Sequence, residues 1–190
     1  VAVEDSSFTT GRRGVAATVI VEKIVGSLAE YGGSLEECKK LGDKVNKNSG
    51  TMGVAFSSCI VPAAGNPTFK LGADEMEFGV GIHGEPGRRR DKIKSAQEIT
   101  NELLNAIIED LKPENKDEIL LFVNGMGGTP LSELYLVYDN AKKMLDNKKI
   151  RIVRSLVGNY CTSLEMQGAS ITLTKLDAEL VKHWDSAVHT

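Results

Sequence analysis

The chain has 190 residues, 41% of them hydrophobic, and a formal net charge of −3 at pH 7 with acidic and basic residues interspersed. That length suits one medium domain, or one domain and part of another, with enough apolar material for a real core. The charge balance argues against a general nucleic-acid-binding face, and no run of about 18 apolar residues offers a membrane span.

The chain opens V-A-V-E-D-S-S-F-T-T-G-R-R-G without an initiator methionine, which suggests a fragment or a processed piece. Val15, Val19, Ile24 and Leu28 recur near the helical period and predict a helix over Gly14 to Tyr31, stopped by Gly32-Gly33. Ser34 then caps a second helix running to about Asn48, and Glu37 completes a capping box. Thr51 to Cys59 predicts a strand, Val61 to Pro67 a loop, and Phe78 to Ile82 a short strand leading into a turn at His83. Glu85 to Arg90 reads as a turn, and Ser95 to Leu111 as a helix with a Ser95/Glu98 capping box. Glu118 to Val123 is a buried strand, Pro130 to Leu145 a helix, Ile150 to Val157 and Ser170 to Leu176 strands, and Asp177 to Trp184 a short last helix. Strands alternating with helices and no internal repeat predict an α/β fold, a mixed sheet with flanking helices.

Cys38, Cys59 and Cys161, an odd number at wide spacing, suit a reducing compartment better than a disulfide framework. No signal peptide opens the chain, and the cytoplasm is the expected location. No Cys or His pair has close ligand spacing, so no metal site is expected.

Three glycine-rich segments compete as a chemical centre. The first, Gly79-Val80-Gly81-Ile82-His83-Gly84, matches G-x-G-x-x-G literally. A dinucleotide site needs a helix immediately afterwards to receive the pyrophosphate, and Glu85-Pro86-Gly87 follows instead. A plain turn fits the glycines, and the histidine shifts the balance towards a site. The second, Gly125-Met126-Gly127-Gly128, follows a strand and precedes a helix, with Thr129 as the expected N-cap and Pro130 as the first helical residue. Such geometry can bind an anion, and it is equally a tight strand-to-helix connection; it lacks the lysine of a P-loop. The third, Gly11-Arg12-Arg13-Gly14, is either a phosphate grip or a solvated charged turn, and Arg88-Arg89-Arg90 is read as solvated surface.

His83 is the residue that this pattern singles out. As a base, an acid, a metal ligand or a nucleophile it is open on spacing alone. As a nucleophile it would add to a small carbonyl compound and give a hemiaminal, with glycine N–H groups near Gly81 and Gly84 stabilising the developing alkoxide and Glu85 placed to orient the ring. The bland alternative is a histidine satisfied by backbone carbonyls.

Longer stretches carry a resemblance. Asp5 to Ala16, Ser57 to Phe69, Asp74 to Gly87, Gly127 to Tyr135 and Val157 to Leu173, with I-H-G-E-P-G the most specific, resemble the substrate-binding subunit of dihydroxyacetone (glycerone) kinase, in the same order and over nearly the whole chain. The resemblance implies that His83 binds dihydroxyacetone covalently as a hemiaminal; Gly81, Gly84 and Glu85 are expected beside it as substrate-binding neighbours from the reading of the glycine turn. It implies dihydroxyacetone phosphate as product; the donor differs by branch, being either a nucleotide-carrying partner subunit recharged by a phosphotransferase relay, the branch favoured here, or an ATP-binding domain on the same polypeptide. No cofactor is then expected in this chain, and ADP or ATP with magnesium is expected on the partner. The family's full subunit has about as much sequence again upstream, carrying a second histidine and an aspartate general base. Residues 1–48 are therefore expected to be the helical tail of an otherwise absent first domain, and residues 49–190 the α/β domain that presents His83. A homodimer rests on the family likeness alone. The alternative is a non-catalytic paralogue that senses dihydroxyacetone and binds a transcription factor.

Overall fold

The computed structural model describes residues 16–82 and 87–187. Among them, β1 (Ser49–Ala55), β2 (Glu75–Phe78), β3 (Arg89–Lys92), β4 (Glu118–Gly125), β5 (Arg151–Gly158) and β6 (Gly168–Leu176) form one sheet in the order β3-β2-β1-β6-β4-β5. The β4–β5 pair is parallel and every other pair antiparallel, so the sheet is mixed as predicted. The helices are α1 (Ala17–Glu30), α2 (Leu35–Lys47), α3 (Ala96–Leu111), α4 (Leu131–Asn147) and α5 (Ala178–Trp184).

Strand periodicity sorts the core into layers. Successive side chains of a strand point to opposite faces, and β4 is apolar on both. Ile119, Leu121 and Val123 join Leu103, Leu104 and Ile107 of α3 and Leu134 of α4 on one face. Leu120 and Phe122 join Ile20 and Ile24 of α1, Leu41 and Val45 of α2, and Leu180 and Trp184 of α5 on the other. On β1 and β6 this second face is lined by hydroxyls that satisfy one another: Ser49 Oγ lies 2.8 Å from Thr174 Oγ1, and Thr51 Oγ1 2.8 Å from Thr172 Oγ1. His183 of α5 is buried on the same side, its Nδ1 2.9 Å from Ser27 Oγ.

Local chemistry sets the helix ends. Both predicted capping boxes form, Ser34 with Glu37 and Ser95 with Glu98. The α4 start differs from expectation: Pro130 is the N-cap, and Thr129 is engaged elsewhere. The Thr129 hydroxyl donates to the Gly168 carbonyl and accepts from the Gly168 amide, both at 2.8 Å, so it ties the turn to β6 rather than capping the helix.

The other differences also have local causes. The predicted strand over Phe78 to Ile82 ends at Phe78, because Gly79 takes φ +75° and turns the chain out of the sheet. The segment read as a solvated turn at Arg88-Arg89-Arg90 runs into the edge strand β3. Charged side chains there suit an unpaired edge. Arg89 pairs with Glu102 and lies over the Phe78 ring, 4.8 Å from its centroid, while Lys94 Nζ reaches Asp91 and Glu102 at 2.6 Å each.

Two expectations follow. Leu104→Ala and Ile24→Ala, on opposite faces of the sheet and both fully buried, should each lower stability by about 2–5 kcal/mol in chemical denaturation, within a single transition. The Ser95 hydroxyl, together with its backbone amide, holds the Glu98 carboxyl below its ordinary value. A group depressed in the folded state stabilises it fully above the unfolded value of about 4.3, and the contribution disappears as pH falls through the folded value. The melting-temperature advantage of the wild type over Glu98→Gln should therefore be full at neutral pH and shrink in acid.

Candidate functional site

The connections that leave β1, β4 and β5, and the one that enters β6, emerge at one end of the sheet. Register fixes this, since Ala55 faces Gly168, Gly125 faces Ala169 and Asn124 faces Gly158. A small core sits beneath these loops: Ala55, Cys59, Val80, Met126 and Met166, with Phe69 against them. Val80 is the first residue after the Gly79 turn, so the segment leading to His83 is drawn onto the loops by its own side chain.

Loop backbone beyond the sheet ladder needs polar partners, and side chains, some buried and some exposed, supply many of them. Asn124, fully buried near the end of β4, accepts from the amides of Tyr160 at 3.0 Å and Cys161 at 2.8 Å, and its Nδ2 donates to the Cys161 carbonyl at 2.8 Å. Glu165 Oε1 accepts from the Ile60 amide at 2.6 Å, and Ser57 Oγ from the Gln167 amide at 2.9 Å. Ser163 donates its hydroxyl proton to the Ile82 carbonyl at 2.7 Å, and its Oγ lies 3.3 Å from Cys59 Sγ. A carbonyl can only accept, so the single hydroxyl proton goes there and the thiol serves as donor to Oγ. On the far side of the His83 segment, the Gly87 amide donates to Glu77 Oε1 at 2.7 Å, and Arg90 Nε contacts Glu77 Oε2 at 3.3 Å.

The Gly125–Gly128 connection is a packed turn. The amides of Met126, Gly127 and Gly128 donate to the Gly168 carbonyl, Asn159 Oδ1 and the Met166 carbonyl, so each is already engaged by protein. Gly127 has φ +119°, and a Cβ there would fall on the Leu164 carbonyl oxygen. Of the two sequence readings of this segment, the tight connection accounts for these contacts. The literal G-x-G-x-x-G at Gly79 is followed by the strand β3 and not by a helix, in keeping with its rejection as a dinucleotide motif.

Of the site residues expected from sequence, Gly81 is buried against this loop cluster. His83, Gly84 and Glu85 lie outside the described residues, as do Arg12 and Arg13. The supports Glu77, Asn124 and Ser163 were not singled out in sequence. Glu77 and Asn124 left a trace: each is a polar residue interrupting an apolar strand, in M-E-F and in F-V-N. The Cys161 thiol is pushed up, first by burial and then by the Glu22 carboxylate, which makes it a poor nucleophile at neutral pH. No group of three or more His, Cys, Asp or Glu among the described residues could hold a metal ion. No helix among them is long and apolar enough to cross a membrane.

The mixed sheet and its loop-held histidine segment fall within a known class: the chain belongs to the Dak1 domain family, whose model matches residues 1–190. It is 50% identical over 179 residues to the dihydroxyacetone-binding subunit DhaK of the PTS-dependent dihydroxyacetone kinase 1 of Listeria innocua, covering 94% of this chain and 54% of that protein. Among solved structures, the dihydroxyacetone kinase operon co-activator DhaQ matches with a TM-score of 0.84 at 35% identity, over 93% of this chain and 55% of that one. The dihydroxyacetone kinase of C. freundii, in complex with AMP-PNP and Mg2+, matches with a TM-score of 0.80 at 26% identity, over 93% of this chain and 32% of that one. The chain spans about half the length of its DhaK relative.

Asn124→Ala removes a buried side chain that partners the loop amides of Tyr160 and Cys161, and should lower stability by about 1–3 kcal/mol. Amide hydrogen exchange should rise first at Tyr160 and Cys161.

Proposed function

We propose that this chain is the dihydroxyacetone-binding part of a dihydroxyacetone kinase and that His83 anchors the ketone. The observation that carries this is the 50% identity to a dihydroxyacetone-binding subunit over 94% of the chain. A neutral ring nitrogen of His83 attacks the carbonyl carbon, and the carbonyl π electrons move to oxygen. The proton of the other ring nitrogen passes through solvent to that oxygen, leaving a neutral hemiaminal with no group lost. N–H groups near Gly81 and Gly84 steady the alkoxide as it forms, and Glu85 orients the imidazole. A terminal hydroxyl of the anchored triose then takes a phosphoryl group from a nucleotide-carrying partner subunit, giving dihydroxyacetone phosphate. ADP or ATP with magnesium belongs to that partner. In this reading residues 1–48 close a first domain and residues 49–190 present His83, with α1 and α2 on the second unit's sheet joining the two. A homodimer and a cytoplasmic location belong to the same proposal.

A second reading has a specific observation in its favour. The likeness to the DhaQ co-activator exceeds that to the C. freundii kinase in both TM-score and identity. On that reading the chain binds dihydroxyacetone without transferring phosphate and docks on a transcription factor.

The first step is tested by NMR with dihydroxyacetone labelled with carbon-13 at the carbonyl. Binding should convert part of the ketone resonance into a tetrahedral carbon resonance on the protein, and His83→Ala should abolish it. A ketone signal unchanged by the wild-type protein refutes the anchor. Once the anchor is seen, phosphoryl transfer on adding the charged partner subunit, assayed with the upstream half of the subunit present, supports the kinase, and none supports the co-activator.

A further inference from the structure

We propose that Ser163 and Glu77 are positioning residues for His83, a two-point clamp on the segment that carries it. The inference rests on the reading that His83 takes the ketone. On the incoming side, the carbonyl of Ile82, the residue immediately before His83, accepts from Ser163 Oγ at 2.7 Å. Ser163 is only 6% exposed and is itself held, its amide donating to the Met126 carbonyl at 2.8 Å and its carbonyl accepting from Met166 at 3.0 Å. On the outgoing side, the Gly87 amide donates to Glu77 Oε1 at 2.7 Å, and the Arg88 amide to the Phe78 carbonyl at 2.7 Å. Glu77 is 4% exposed, and a Cβ on Gly87 would come within 2.5 Å of Glu77 Cγ.

The Glu77 side chain is not required for the main-chain pairing of its strand. The backbone of Glu77 is already paired with Ala55 and Arg90 in the sheet. A carboxylate buried in a strand is costly compared with an apolar residue unless donors compensate it. Its donors here are the Gly87 amide and Arg90. Ile82 and Gly87 are therefore each tied by a side chain, and the two side chains arrive from different parts of the fold, the β5–β6 connection and β2. Anchoring both limbs removes conformational freedom before the substrate arrives, and a covalent addition with narrow angular demands gains directly from that.

The test uses the full chain and the carbon-13 hemiaminal signal. Ser163→Ala and Glu77→Met should each raise the apparent dissociation constant for dihydroxyacetone about tenfold or more, with unfolding transitions that remain cooperative. Glu77→Gln keeps a carbonyl acceptor for Gly87 and should rescue binding, which a general loss of packing would not predict. Wild-type affinity in both Ser163→Ala and Glu77→Met overturns the clamp. If Glu77→Met fails to fold, Ser163→Ala against Glu77→Gln makes the same comparison. Hydrogen exchange over residues 80–88 separates the two levels of inference. A wild type that forms no hemiaminal refutes the anchor alone; the clamp then stands if Ser163→Ala speeds exchange in this segment and Glu77→Gln does not, and falls if exchange is unchanged.

Discussion

Loop backbone that lies beyond the sheet ladder has to find other hydrogen-bond partners, and side chains meet much of this constraint at the functional end of the molecule. Asn124 meets it for residues 160 and 161, Asn159 for Gly127, Glu165 for Ile60, Ser163 for Ile82 and Glu77 for Gly87. These polar groups are scaffold before they are chemistry. Each links a loop to a strand or to another loop, so the loops form one hydrogen-bonded layer above the small core of Ala55, Cys59, Val80, Met126 and Met166. Helices on both faces hold the sheet rigid beneath that layer.

The same constraint decides between glycine-rich segments that look alike in sequence. At Gly125–Gly128 the amides of residues 126–128 are consumed by protein acceptors, and a Cβ would meet the Leu164 and Glu165 carbonyls at Gly127 and Gly128 and the Asn159 and Leu134 side chains at Gly125. A phosphate cradle needs amides free to turn towards a ligand. At the described borders of the His83 segment, the Ile82 carbonyl and the amides of Gly87 and Arg88 are likewise engaged by protein.

Much of the architecture was legible because it rests on local signals. Ser34/Glu37 and Ser95/Glu98 announce their helices, and the apolar run of β4 announces a strand covered on both faces. What was not legible depends on partners distant in sequence. Arg89–Lys92 carries no apolar alternation and becomes a strand only because β2 offers an edge to pair with. Thr129 has every credential of an N-cap, yet its hydroxyl is claimed by Gly168, 39 residues further on. Ser163 is one polar residue in a polar loop, and only the fold places it against Ile82. The family was legible for a different reason: I-H-G-E-P-G and its companion stretches are specific strings, and the Dak1 match over residues 1–190 agrees with them.

On the proposal that His83 is the nucleophile, the charge of the nearby Glu77–Arg90 pair bears on its reactivity. Only the neutral ring has a lone pair to give, and an ordinary histidine titrates near about 6.5. A solitary buried carboxylate next to the segment would favour the imidazolium and remove that lone pair. Glu77 is not solitary: Arg90 Nε lies 3.3 Å from one oxygen and the Gly87 amide 2.7 Å from the other. The pair offers the Gly87 amide an acceptor whose charge Arg90 offsets in part. An anchor that bonds to a carbonyl carbon also needs few polar contacts to reject a triol of similar size, because the discriminating interaction is a bond that the triol cannot form. Such a site needs a backbone that does not drift more than it needs a crowded pocket, and fixed points on both sides of a short glycine-flanked segment meet that requirement with two side chains.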